Sequence, residues 1–183
     1  MTTPIDQQFR TLADPFIALA RTLTPEEWQQ DSPCDGWTAA DVVDHVITTQ
    51  QAFFDGHEID LPAASGNRDP AATLEVHVER VVNSLSDPAV PATTFDGFFG
   101  PTTVGDTLLR FYGFDMVVHR WDVGRATGRE VTFDDAELDL LETAIEGFGE
   151  NLYLEGICKP AMEVAPGAGR QERLLGRLGR AMV

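Results

Sequence analysis

The stretch Phe111-Tyr112-Gly113-Phe114-Asp115-Met116-Val117-Val118-His119-Arg120-Trp121-Asp122-Val123-Gly124-Arg125-Ala126-Thr127-Gly128 reads as the second half of a long helix that stops at its last glycine. Asp115 and His119 are four residues apart, so on a helix they lie one turn apart on the same face. A carboxylate and an imidazole at that spacing can grip one metal ion from a single rigid element, given a partner from elsewhere. The same spacing also occurs as a solvated surface pair worth a few tenths of a kcal/mol. Val117, Val118 and Trp121 flank His119, which makes the helix apolar where the pair sits. A buried ionised Asp is costly unless a cation or strong donors answer it, which argues against a merely decorative pair. The candidate partner is His45, in a second helix that opens at Cys34-Asp35-Gly36-Trp37-Thr38.

Outward from this segment the pattern is helical throughout. Phe9, Leu12, Phe16, Leu19 and Ala20 recur at helical spacing between Pro4 and about Thr22. Thr24-Pro25-Glu26-Glu27 is a capping box that opens a short turn carrying Trp28. Ser32 to Trp37 reads as a loop, after which Thr38 caps the second helix with Asp41 three residues on. Val42, His45, Val46, Thr49 and Phe53 share its inner stripe, where a lone His is more commonly a satisfied core residue than a ligand. Gly56 to Pro70 is expected to be a surface loop, and Pro70 to Leu85 a third helix. His57 and His77 lack a partner at ligand spacing and read as surface residues.

Thr93 to Thr103 interleaves turn residues with aromatics, as a lid or pocket wall or as a hydrophobic plug. The long fourth helix is expected over Thr103 to Ala126, with Phe111 on the face of Asp115 and Asp122 following His119. Asp122 could hold a metal-bound imidazole in its tautomer, or anchor a backbone group or an arginine such as Arg125. Asp134 caps a fifth helix with Leu138, Leu141, Ala144, Ile145 and Phe148 on its apolar side. Glu155 to Pro166 reads as extended, and Gln171 to Arg180 as a short terminal helix. There is no internal repeat, Gly-rich phosphate loop, nucleophile elbow or zinc-finger cysteine spacing.

At 183 residues and 43% apolar content, one domain spanning 1–183 with a sizeable core is expected. Thirty acids against thirteen bases, a net charge of −17, disfavour nucleic acid and anionic membrane as partners. The chain shows no secretory leader pattern and no apolar run of membrane-spanning length, so a soluble cytoplasmic protein is expected. Cys34 and Cys158 do not make a disulfide scaffold. Cys34 reads as a small buried loop residue, with a reactive thiol as the alternative.

The segment carrying Trp28, Ser32, Cys34, Asp35, Gly36, Trp37 and His45 is followed downstream by Asp115, His119, Trp121, Asp122, Arg125, Ala126, Thr127 and Gly128. Together they resemble the actinobacterial branch of the DinB-like fold. The closer resemblance is to the N-terminal, metal-binding domain of mycothiol-dependent maleylpyruvate isomerases and their relatives. It extends to the closing Leu174-Leu175-Gly176-Arg177-Leu178-Gly179-Arg180.

The resemblance implies an all-α fold: a four-helix bundle, up-down-down-up, with short additional helices and a small extended C-terminal segment. It implies one divalent metal, usually zinc, with nickel or another ion as alternatives, held by His45, Asp115 and His119. The acid is often Glu in such proteins, and the Asp here reaches about one methylene less far.

Two imidazoles and one carboxylate leave a coordination position open, as in sites that do chemistry. The resemblance then implies activation of a low-molecular-weight thiol such as mycothiol for addition to a small electrophile, by a transferase or an isomerase. Phe98, Phe99, Phe111 and Trp121 are candidates for the pocket wall, and no residue stands out as a separate acid–base catalyst. The chain is expected to lack the additional C-terminal domain that the isomerases carry, which separates it from that enzyme. The alternative class is a metal-bearing small-molecule-binding or stress-response protein without turnover. A homodimer is compatible with a bundle of this size, although no stripe identifies an interface.

Overall fold

The computed structural model describes residues 3–61, 69–154 and 156–180. The chain forms two compact units, Met1–Val131 and Thr132–Val183. Among the described residues it is mainly helical, with one small antiparallel hairpin. Among the described residues no helix is long and apolar enough to cross a membrane.

In the first unit α1 (Ile5–Ala20) packs against α3 (Pro70–Leu85) and α5 (Gly113–Ala126), while α2 (Ala39–Gly56) packs against α5 and α3. The core between them is built from Phe9, Phe16, Val42, Val46, Leu74, Val81, Leu108 and Met116 among others, each almost wholly withdrawn from water. Charge pairs lace α1 to α3 along their outer edge: Arg10 grips Glu79 with two bonds of 2.7 and 2.8 Å, and Arg21 pairs with Glu75.

The helix starts follow from local chemistry. Thr38 accepts from Asp41 N at 3.2 Å, and the Asp41 carboxylate accepts from Thr38 N at 2.8 Å. Two otherwise orphaned backbone donors are thereby satisfied reciprocally. The box at Thr24 has the same reciprocity with Glu27 and carries the buried Trp28 on a short 3-10 turn, Glu27–Gln29. Arg129, just past α5, holds Glu27 with bonds of 2.7 and 3.1 Å, and the guanidinium keeps that carboxyl at about 2. The α5 terminus is thus tied to the turn that leads into α2.

The inner face of α2 is broader than the stripe read from sequence. Val42 and Val46 are buried as expected, Thr49 and Phe53 are half-buried, and Val43, Gln50 and Phe54 are buried as well. Packing on two sides, against α3 and α5, requires the wider face. His77 is not a surface residue: it is 1% exposed, and its Nε2 lies 3.0 Å from Gln50 Oε1 on α2. His57 is half-buried, with its Nδ1 2.7 Å from Phe53 O and its ring against Phe53 and Phe95. The expected loop between α2 and α3 falls largely on 62–68, outside the described residues.

Thr93 to Thr103 carries regular structure. It contains a hairpin, β1 (Thr94–Gly97) with β2 (Gly100–Thr103), in the register Thr94–Thr103 to Gly97–Gly100. Phe98 and Phe99 form its tip in water, at 77% and 50% exposure, while Phe95 packs inward on the core.

The long helix expected from Thr103 is interrupted. A short turn, α4 (Val104–Thr107), leads into a π-helical segment, Leu108–Tyr112, and only then into α5. The wider turn takes up an additional residue, equivalent to about 100° of ordinary helical rotation, immediately before Asp115. α5 ends as expected, with Gly128 in the left-handed conformation (φ 68°) that a residue with a side chain adopts only at a cost.

In the second unit Asp134 caps α6 (Asp135–Phe148) through a reciprocal box with Glu137. α6 packs on α7 (Arg170–Arg177), burying Leu138, Leu141, Ile145, Leu174 and Leu175. Residues 158–165 carry no regular structure, as the Pro/Gly punctuation indicates; Glu155 lies outside the described residues.

Candidate metal centre

α2 and α5 bring His45, Asp115 and His119 to one point. His119 Nε2 lies 3.2 Å from Asp115 Oδ1, and His45 Nε2 lies 3.8 Å from Asp115 Oδ2. The three donor atoms are within 4.8 Å of one another. A tetrahedral zinc site with bonds of about 2.0–2.1 Å spaces its donors by roughly 3.4 Å, so the separations here suit a single small ion. The donor set, two imidazoles and a carboxylate, is also one that such ions accept. The residues therefore fit a divalent metal.

The site has a dry back and a wet front. His119 is buried, whereas the side chains of His45 and Asp115 keep 31% and 28% of their surface. Trp37 leans on both imidazoles, its ring 4.8 Å from His45 and 6.4 Å from His119. The imidazoles themselves stand edge to face at 5.2 Å.

Behind His119, its Nδ1 lies 2.9 Å from Oδ2 of Asp122, which has no exposed surface. Cys34 Sγ reaches the same Asp122 oxygen at 3.5 Å. Burial alone would press the His119 imidazole down, but the Asp115 charge and the hydrogen bonds with Asp115, Asp122 and Cys34 hold it well above its ordinary value. His45 goes the other way, lowered by burial and by the neighbouring His119 against a smaller pull from Asp115 and Asp44. The two imidazoles are thus differentiated, one favouring the cation and the other the neutral ring. Tyr112, the last residue of the π segment and three before Asp115, is pushed up to about 12 by burial and the Asp115 charge, so it stays a hydroxyl at neutral pH.

Of the four residues expected in a pocket wall, Trp121 is buried in the protein and Phe98 stands in solvent. Phe99 stacks on Phe111 at 6.0 Å with nearly parallel rings. Nothing in these contacts brings the four together. Arg125, the suggested partner of Asp122, is exposed. Trp37 and Cys34 are neighbours of the donors that residue spacing did not reveal. Their only signal in the chain is their place in the segment leading into the His45 helix.

A family model described as the mycothiol maleylpyruvate isomerase N-terminal domain matches residues 9–55, about a quarter of the chain. That is the family the sequence resembles, and the matched stretch carries Trp28, Cys34, Trp37 and His45. Asp115, His119 and Asp122 lie beyond it. No curated protein and no solved structure matches the chain.

Proposed function

We propose, taking the match to mycothiol maleylpyruvate isomerase N-terminal domains over residues 9–55 as the premise, that this protein is a zinc-type thiol transferase or isomerase. It would act on a low-molecular-weight thiol such as mycothiol and a small electrophile. The observation that carries the reading is the convergence of His45, Asp115 and His119 within 4.8 Å, with two of the three still reachable from water. The packing of α1, α2, α3 and α5 on one another supports a DinB-like four-helix bundle as the frame.

In this reading His45 Nε2, an Asp115 oxygen and His119 Nε2 hold the ion, and Asp122 receives the His119 Nδ1–H. When bound, the ion supplies one thing: it keeps an incoming thiol as the thiolate, against a free value near 8.5. Asp115, anchored on α5, sets the carboxylate side of the site. Trp37 covers the imidazole edges and excludes water from one flank, leaving the His45–Asp115 opening for substrate. In the isomerase form, the sulfur adds to a conjugated double bond, the resulting single bond rotates, and the same thiol leaves. In the transferase form, the sulfur stays attached and a proton goes to the adjacent carbon.

The test is metal content and thiol conjugation for the wild type and H119A, purified without a histidine tag. The expected outcome is about one equivalent of divalent metal in the wild type, a deficit in H119A, and product formed only by the former. A full complement in H119A would remove the site. Metal with ligand-induced thermal shifts but no product would assign a binding protein instead.

A further inference from the structure

The loop between the Trp28 turn and α2 reaches the metal centre from behind His119. Its two ends are closed by the Asp31–Thr38 bridge and by Ser32 N donating to Trp37 O at 2.8 Å. Trp37 N donates to Cys34 O at 3.0 Å, and Ser32 Oγ accepts from Cys34 N at 3.1 Å. With its backbone held on both sides, Cys34 presents Sγ 3.5 Å from Asp122 Oδ2, the oxygen that also faces His119 Nδ1 at 2.9 Å.

We infer that Cys34 is a positioning residue: its S–H donates to Asp122 Oδ2 and its sulfur lies against the His119 imidazole, and together these contacts hold the carboxylate and the ring in the orientation that pairs Asp122 with the His119 Nδ1–H. The terminal torsion of an Asp side chain is soft and roughly two-fold, so its orientation is set by the donors around it. Asp122 has no exposed surface, so its donors come from the protein and each one narrows the range. A thiol is ordinarily a weak donor, but a bond to an ionised acceptor is strengthened. With Asp122 fixed, the His119 ring is held with Nδ1 inward and Nε2 toward Asp115 and His45. Cys34 as a direct metal ligand is the competing assignment, since Sγ, a His119 nitrogen and an Asp122 oxygen also fall within 4.8 Å of one another. That trio lies on the closed side of His119, where Asp122 has no exposed surface, whereas His45 and Asp115 keep theirs in part.

The consequence for metal affinity rests on the function proposed above; the orientation of His119 does not. Both are read on the whole chain, wild type, C34A and C34S; Cys34 is a half-buried loop residue at the edge of the core, so the urea midpoint of each variant is recorded beside them. Nitrogen-detected imidazole NMR of the metal-free protein reports the His119 ring, and Co2+ titration reports affinity. The expected result is displaced His119 ring resonances and about tenfold weaker Co2+ binding in C34A. C34S, which restores an O–H donor, should lie close to wild type in both. Unmoved resonances in C34A, equal behaviour of C34S and C34A, or a sulfur-to-cobalt absorption band in the wild type would each overturn the assignment. If the wild type takes up no Co2+, the proposed function falls, and the imidazole resonances alone decide the role of Cys34.

Discussion

His119 sits between two carboxylates, and its proton is what a metal would have to displace. Because the folded protein holds this imidazole well above 6.5, metal uptake at neutral pH should release a proton from it. Apparent Co2+ affinity is therefore expected to rise with pH, by up to about tenfold per unit, until the folded value is passed. Titrations in buffers of different ionisation enthalpy would count the proton; a pH-independent affinity would contradict the arrangement. In the metal-free protein the sign for stability is opposite. A raised imidazole contributes fully below its unfolded value and loses that contribution as pH rises through the folded one.

His77 is the reverse case: burial first, then the Arg80 charge, lowers it to about 4. Its neutral ring favours the fold above 6.5, and that contribution, roughly 3 kcal/mol, is lost as pH falls toward 4. H77Q keeps a polar partner for Gln50 and should flatten the urea-denaturation midpoint between about pH 6.5 and 4 relative to wild type. The two kinds of histidine differ in how readable they were. Asp115 and His119 announce themselves by spacing, and His45 by the segment that leads into its helix. His77 was misread as a surface residue although it stands three residues after Leu74 and four before Val81, inside the buried stripe of α3. Its partner Gln50 is on another helix, and no local pattern names it.

Among the elements, α2 matters most to the site, because His45 rides two turns beyond its cap. T38A removes the side-chain acceptor for Asp41 N, and Asp41 loses the hydroxyl that donates to its carboxylate at 2.7 Å. A loss of about 1 kcal/mol is expected, measured as a shift in urea midpoint at constant slope. A neutral T38A would mean that the loop bonds, not the cap, hold the helix start. Caps were legible because they are written in four consecutive residues, as at Thr24, Thr38 and Asp134. The π segment was not, since Leu108 and Leu109 continue an apolar pattern that an unbroken α-helix would also satisfy. The hairpin likewise escaped: Thr94–Gly97 is too short to establish an alternation, and its two tip phenylalanines point to water.

For the molecule as a whole, every residue of the proposed centre, together with the core cluster from Phe9 to Val123, lies in Met1–Val131. Helical class and approximate element order followed from periodicity, while the division after Val131 did not, because Gly128-Arg129-Glu130-Val131 reads like any helix-to-helix connection. In the second unit, residues 159–167 are exposed without interruption, and 158–165 have no regular backbone pairing of their own. One backbone bond, Met162 N to Gly176 O at 2.8 Å, ties it to α7; outside that tie it is the exposed, irregular chain that an endoprotease accepts. Brief treatment with subtilisin should cut there, and the large fragment, titrated with Co2+ and examined by native mass spectrometry, should bind the ion at the proposed centre as the uncut chain does.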